Sequence, residues 1–506
     1  MLNGGTTSLL LLVGIAIVSW TVFELKSIQN QLTDPLQYCL QLALQIQSTK
    51  VPQELQQQSV QQLPIAWIDG PGENLEATYM KHIFEVFRLL GYHVITGPQP
   101  LNVQWDVMWT HEFPFSNDLY RHHIHGASPD QLINHVPGSG FYTSKVALAT
   151  ANISIGVPQA FQLPYEKEKF IEFAKENPDY LWVQKDNNHR NIEIKLLTEI
   201  DFEKPESFVQ RFVDNPLLID NRKFDIGIYT VITSLRPLKV YILDEGLLRF
   251  CPEDYHPFDQ KKVDKYVVGD DYTPIWEMFS LKSYYIGERL NFKNSLNAYL
   301  KAQGKSPEMI WNQIRKIIAE VFYQQQEKML TVFESTTLGP RFFELSRFDF
   351  IVDDELNVYL MEANMSPNLS SGHFKENQIL YEQVLMNIFS LIGVEKHIKK
   401  NEMNYLKSRG GLWNSFISDR DLSISIPECA TEICSDCQNQ EKCDLCTHCW
   451  SNDFLEILRE TTREHQFRRN MFRIDFSHKN LKTKEDELLQ KWFMKKCEER
   501  IDWCPL

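Results

Sequence analysis

Three features of the chain predict a mixed α/β fold that passes into α+β. An apolar strand, a helix and a second strand follow one another between Pro64 and Thr96, two alternating segments face each other across a turn between Phe343 and Asn368, and helical periodicity recurs after Glu308. With 506 residues and 43% apolar content the chain can bury a large core, and more than one unit is expected. A formal net charge of -15 argues against a general nucleic-acid binder, because such proteins neutralise phosphates with Lys and Arg.

Taken in order, the first element is the uncharged apolar run Leu9 to Phe23. No clear cleavage site follows it before Glu24 and Lys26, so it reads as an uncleaved membrane anchor over residues 1–26 with its hydrophobic core at 9–23. The expectation is a single-pass membrane protein, and too few charges flank the run to orient it. Residues 27–63, rich in Gln and Leu, form a stalk. The motif PIAWID then makes a strand, Tyr79, Ile83, Val86, Phe87 and Leu90 give helical spacing over Asn74 to Leu90, Gly91 ends it, and HVIT is the next strand. This βαβ-like unit opens a subdomain at 64–150. Further units are expected at 151–252 and 253–400, with a Cys-rich helical tail at 401–506. Helices over Glu308–Phe333 and Gln378–Ile392 read as core packing, and the tail has helical patterns near Phe454 to Thr462 and Glu485 to Trp492.

The segment FELSRFDFIVDDELNVYLMEANMSPN carries the most chemistry. Alternation at Phe348, Phe350 and Val352, and again at Val358, Leu360 and Ala363, reads as a hairpin turning at Asp353 and Asp354, with a partly buried face. On that hairpin Asp349, Glu362 and Asn364 converge as three oxygen ligands. Hard donors of this kind suit Mg2+, which binds through one or two carboxylates plus nucleotide phosphates. The plain alternative is an acidic hairpin on a solvated sheet edge.

Two more segments bear on that choice: PLLIDNRKFDIGIYTVITSLRPLKVYILDEGLLRF from Pro216 and LWVQKDNNHRNIEIK from Leu181. Lys223, Phe224 and Asp225 match a PLLxxGRKFDxRxY pattern, and Glu245, Gly246, Leu247, Arg249 and Phe250 match EGLxRF. The hairpin matches FDxxxD followed by LxExNxxP. With weaker matches at DVMWTH and at Ile133 to Lys145, the chain resembles the tubulin tyrosine ligase-like family, of the polyglutamylase type, over roughly residues 60 to 395. That resemblance implies an ATP-grasp ligase fold, with ATP and Mg2+ as cofactors and with tubulin or microtubules and free glutamate as partners. It implies that Asp349, Glu362 and Asn364 hold the metal, and that Lys145, Lys185, Arg190 and Lys223 contact phosphates. Asp225 would contact the nucleotide, and Gln210, Arg211, Phe212 and Val213 the adenine. Arg249 and Lys223 would be catalytic, stabilising charge on the transferring phosphoryl group.

Departures from the family pattern leave a second reading open. Both glycines of the phosphate-covering R-G-x-G-I loop are missing, replaced by Asn191 and Glu193. Gly227 stands where the KFDxR arginine belongs, and Lys265 to Asp271 has no clear HLTN-like element. The alternative to an active glutamate ligase is therefore a degenerate ligase fold that binds nucleotide or tubulin, or a luminal ATP-grasp protein with another acidic substrate. Microtubule or cilium association follows only if the catalytic domain is cytosolic.

Eight of the ten cysteines lie after residue 428. Cys434, Cys437, Cys443 and Cys446 form two CxxC pairs whose spacing suits a structural Zn2+, and an even, clustered number suits disulfides equally well. Two other patterns have plain and functional readings: RHHIHG at Arg121 is a surface loop or a metal site, and Arg463, Arg468, Arg469 and Arg473 are a solvated face or a basic surface for acidic tubulin tails.

Overall fold

The computed structural model describes residues 63–506 apart from 101, 187–191, 337–340, 396, 398–416, 439 and 506. The apolar run of IAWID is buried on both faces as β1 (Ile65–Asp69), an inner strand of a parallel sheet with β2 (His93–Thr96), β3 (Val107–Thr110) and β4 (Leu132–Ile133). The helix between β1 and β2, α1 (Lys81–Leu89), is shorter than the spacing from Asn74 predicts, because residues 76–80 form turns. A fifth strand, β12 (Arg341–Phe342), reaches this sheet from far along the chain and pairs with β4 in parallel. Just past it, the Glu344 carboxylate accepts from His135 Nδ1 at 2.9 Å and from Val136 N at 2.9 Å, fastening the base of the hairpin to the N-terminal sheet.

A second, antiparallel sheet runs β5 (Ala160–Leu163), β8 (Ser207–Arg211), β6 (Trp182–Asp186), β7 (Glu193–Lys195). The third is antiparallel and six-stranded: β11 (Thr273–Pro274), β10 (Leu238–Phe250), β9 (Phe224–Leu235), β13 (Glu344–Val352) and β14 (Val358–Met365), with β15 (Met471–Arg473) added beside β10. The helices used below are α2 (Asp118–His125), α3 (Lys145–Ala149), α4 (Pro307–Ser335), α5 (Gln378–Ile392), α6 (Asn452–Phe467) and α7 (Lys484–Glu499). Ile310, Ile314, Ile317, Val321 and Phe322 of α4 are buried, and α5 stops at Gly393, whose φ of 79° is the left-handed cap that glycine adopts without strain. Both helices cover the expected segments. The hairpin differs in one respect: β13 is buried at all nine positions rather than on one face, since β9 and β14 flank it and α4 packs on it.

The expected membrane anchor is corrected. Its run, with all but the last residue of the stalk, lies outside the described residues, and among those described no helix is long and apolar enough to cross a membrane. The fold is therefore a mixed α/β fold with no anchor assigned, and the single-pass membrane location and membrane partner are withdrawn.

The zinc expectation also gives way. Cys434 is bonded to Cys443, Cys446 to Cys429 and Cys437 to Cys449, so none of the four candidate ligands keeps a thiolate for a metal. Cys497 and Cys504 form a fourth disulfide. Two surface expectations change as well. His123 of RHHIHG is buried on α2, edge-on to Trp67, with Nε2 3.1 Å from the Gln99 carbonyl. Arg463 is buried too, donating to Ser390 O at 3.2 Å and to Leu391 O at the end of α5, so it ties α6 to the core instead of facing a partner.

Candidate functional site

Three neighbouring strands build the site. In register, Gly227 of β9 lies opposite Asp349 of β13, and Asp349 lies opposite Glu362 of β14. Because side chains two apart on a strand share a face, Asn364 follows Glu362 and Arg347 precedes Asp349 on the same side. At the far end the turn is held by Asp353, whose carboxylate accepts from Asn357 N at 2.7 Å and Glu355 N at 3.1 Å. The expected ligand set is thus brought together: Asn364 Nδ2 lies 3.0 Å from Asp349 Oδ2 and 2.9 Å from Glu362 Oε1.

Cations surround these carboxylates. Lys145, the first residue of α3, puts Nζ 3.1 Å from Glu362 Oε2. Burial opposes ionisation of Glu362, but the Lys145 ammonium, the Asn364 amide and Lys185 outweigh it and hold the carboxyl at about 2. Arg249 grips Asp225 in a fork, Nε to Oδ1 at 2.9 Å and Nη2 to Oδ2 at 2.7 Å, and also reaches Asp349 Oδ2 at 3.0 Å. Burial nevertheless raises Asp225 to about 6, against the pull of Arg249.

Lys185 and Lys223 are the groups that fit phosphate. Lys185 on β6 contacts the neutral Gln210 Oε1 at 3.4 Å, and burial lowers its ammonium to about 8. Lys223 donates to the Tyr266 carbonyl at 2.8 Å, and burial lowers it too. Desolvated ammonium groups that meet neutral acceptors gain from an anionic ligand, and a nucleotide triphosphate beside Mg2+ is one. Two carboxylates and the Asn364 amide, with its oxygen turned inward in place of the Nδ2 that faces the carboxylates here, would suit Mg2+ completed by phosphate oxygens.

A profile of the tubulin-tyrosine ligase family matches residues 124–402. A Caenorhabditis elegans protein named "Probable tubulin polyglutamylase ttll-15" is 55% identical over 445 residues, 87% of each chain. The chain belongs to the tubulin-tyrosine ligase family. More distant relatives include the mouse proteins named tubulin polyglutamylase TTLL6, 25% identical over 61% of this chain and 39% of its own, and tubulin polyglutamylase TTLL5, 27% identical over 60% and 24%. The mixed α/β, ATP-grasp-like architecture is that of the family.

Within this family member the residues singled out from the sequence are distributed unevenly. Asp349, Glu362, Asn364, Lys145, Asp225 and Arg249 are joined by the contacts above, and Lys185 lies close enough to influence Glu362. Gln210 is buried and faces Lys185, whereas the Arg211 guanidinium turns away to stack 4.2 Å over the Tyr180 ring. Phe212 is buried against Val183, Ile194, Tyr255 and Tyr266, with Lys223 Nζ 5.3 Å over its ring, and Val213 is buried beside it in sequence. Arg190 lies outside the described residues, as does Asn191. The Glu193 carboxylate is exposed and pairs with Lys195 Nζ at 2.6 Å, which neutralises its charge locally. Glu245 of the EGL motif is a capping group: its Oε1 accepts from Lys293 N at 2.9 Å, in the first turn of helix Phe292–Ala302.

One site residue escaped the sequence reading. Arg347 donates Nε to Asp349 Oδ1 at 2.7 Å and Nη2 to Oδ2 at 2.8 Å, a fork on the carboxylate that Arg249 reaches through Nη2 alone. Its signal was present: a charged residue two positions before a ligand on an alternating strand shares the ligand's face.

Proposed function

We propose that this protein is an ATP-dependent ligase that adds glutamate to glutamate side chains of tubulin. The observation that carries the reading is the cluster of Asp349, Glu362 and Asn364 beside Lys185, Lys223, Arg249 and Lys145. The polyglutamylase names of its relatives support the choice of glutamate and tubulin. ATP bound with Mg2+ supplies the phosphoryl group that turns a carboxylate into an acyl phosphate, which an amine can attack. Asp349, Glu362 and Asn364 hold the ion, Lys145, Lys185 and Lys223 bind phosphate oxygens, and Arg249 offsets charge on the reacting group. Lys145, paired with Glu362 here, would turn to phosphate where Glu362 held the ion. Gln210, Phe212 and Val213 border the base, whereas Arg211, stacked on Tyr180, contributes only its backbone there.

The decisive experiment mixes purified protein, tubulin, labelled glutamate and Mg-ATP. ATP-dependent label in tubulin is expected; nucleotide binding without incorporation would leave the degenerate reading. The four disulfides favour a second reading of the acceptor alone, since such bonds persist in oxidising compartments that tubulin does not enter. Label in another acidic protein, with tubulin untouched, would select it.

Lys185 gives the site a pH dependence. Phosphate prefers the charged ammonium, which the unliganded protein loses as pH rises through about 8. Mg-ATP affinity is therefore full below pH 8 and falls above it, by about tenfold between pH 7 and 9 if the bound ammonium stays charged. In Lys185→Gln the affinity is weaker and this part of the pH dependence is gone. Equal wild-type affinities at pH 7 and 9 would remove Lys185 from the phosphate site.

A further inference from the structure

Gly227 lacks the arginine that the family pattern KFDxR places on β9, so one cation beside the reacting groups is missing from its usual strand. We infer that Arg347 supplies it from β13, its guanidinium filling the space that a side chain at 227 would occupy and meeting the terminal phosphate of ATP. This rests on the nucleotide site proposed above.

The geometry is specific. A Cβ on Gly227 would lie 2.9 Å from Arg347 Cδ, 3.2 Å from its Nε and 3.1 Å from Asp349 Oδ1. Gly227 has no positive φ, so its backbone does not demand glycine. What glycine provides here is room. Arg347 is 8% exposed, and its register partner across β9 is Tyr229 rather than Gly227, so the guanidinium has crossed along the strand face to lie over the gap. There it shares Asp349 with Arg249, giving two guanidinium groups on one carboxylate, with Asp225, among the described residues, as the other acid bonded to either. Arg347 forks Asp349 and Arg249 forks Asp225, so an ion held by Asp349 would leave the Arg347 guanidinium to pair with another anion beside it.

The two roles separate in binding experiments on the full chain. Affinities for Mg-ATP and Mg-ADP are measured by calorimetry for wild type, Arg347→Gln, Arg347→Gly, Arg347→Lys, and the double variant Gly227→Arg with Arg347→Gly. A guanidinium on the terminal phosphate predicts that Arg347→Gln and Arg347→Gly weaken Mg-ATP by about tenfold or more while Mg-ADP changes little. Arg347→Lys, which keeps the charge and is the variant to rely on should the others not fold, falls between them and wild type. The double variant returns the arginine to β9 and recovers the preference for ATP that Arg347→Gly loses. Equal losses for both nucleotides, or a double variant no better than Arg347→Gly, would overturn the assignment and leave Arg347 as a strut. Wild-type protein that prefers ATP through Arg347 yet labels no protein would instead sink the ligase reading alone.

Discussion

Glu362→Gln is expected to reduce ATP-dependent glutamate incorporation by at least about a hundredfold while leaving the fold intact, because charge on a ligand of a phosphoryl-transfer site acts at full strength in a desolvated pocket. The substitution keeps shape and removes one negative charge. In the free protein the carboxylate is already ionised, held at about 2 by Lys145, Asn364 and Lys185, so the charge is available at any working pH. Its loss strips the ion of a ligand and leaves Lys145 without its 3.1 Å partner. β14 keeps its backbone pairing with β13, so the melting temperature should change little compared with the rate. Initial rates of labelled glutamate transfer, with thermal melting as the control, test this. Activity within a few fold of wild type in a folded variant would take Glu362 out of the metal site.

Reduction of the disulfides should have the largest effect on stability. Three bonds, with separations of 9, 12 and 17 residues, close the segment from Cys429 to Cys449. Loops of that size are each stabilised by about 3 kcal/mol when cross-linked. The core they adjoin is small: Leu422, Leu445, Trp450, Phe454, Leu458, Leu489, Trp492, Phe493 and Trp503 form a cluster of their own, separate from the main core. A core of that size is marginal without staples. The tail is also fastened to the body, through β15 on β10 and through Asp486, which accepts from Leu238 N at 2.5 Å. Full reduction is therefore expected to lower the melting temperature of the tail and to expose the edge of β10. Scanning calorimetry with and without reductant checks this, and alkylation followed by mass spectrometry checks the pairing. Identical melting after complete reduction would show that the bonds add nothing. Cys251, buried and pushed up to about 12 mainly by that burial, should react only once the protein unfolds.

How much of this was legible in the sequence depends on whether the signal was local. Period-two alternation around Asp349 and Glu362 predicts the hairpin, and the 3.6-residue spacing from Ile310 to Phe322 predicts α4, because both patterns arise from neighbours along one element. The grouping of Asp349, Glu362 and Asn364 was legible for the same reason: they lie on one hairpin. Asn74 to Met80 misled, since apolar spacing alone does not distinguish turns from the first turns of a helix. The run Arg463 to Arg473 misled because charge in a sequence carries no burial, and Arg463 finds carbonyls at the end of a helix more than seventy residues away.

By itself the sequence determined that this is a mixed α/β chain of the tubulin-tyrosine ligase family with an acidic hairpin. Only the tertiary structure decided how the eight tail cysteines pair, since sulfur chemistry suits zinc and disulfides alike until distances are known. It also decided that Glu245 caps a helix, that β12 at Arg341 completes a sheet begun at Ile65, and that the gap at Gly227 is filled by Arg347. In each of these the partners are distant in sequence and adjacent in space, and pairing of that kind is set by packing of the whole fold rather than by the local pattern of any one segment.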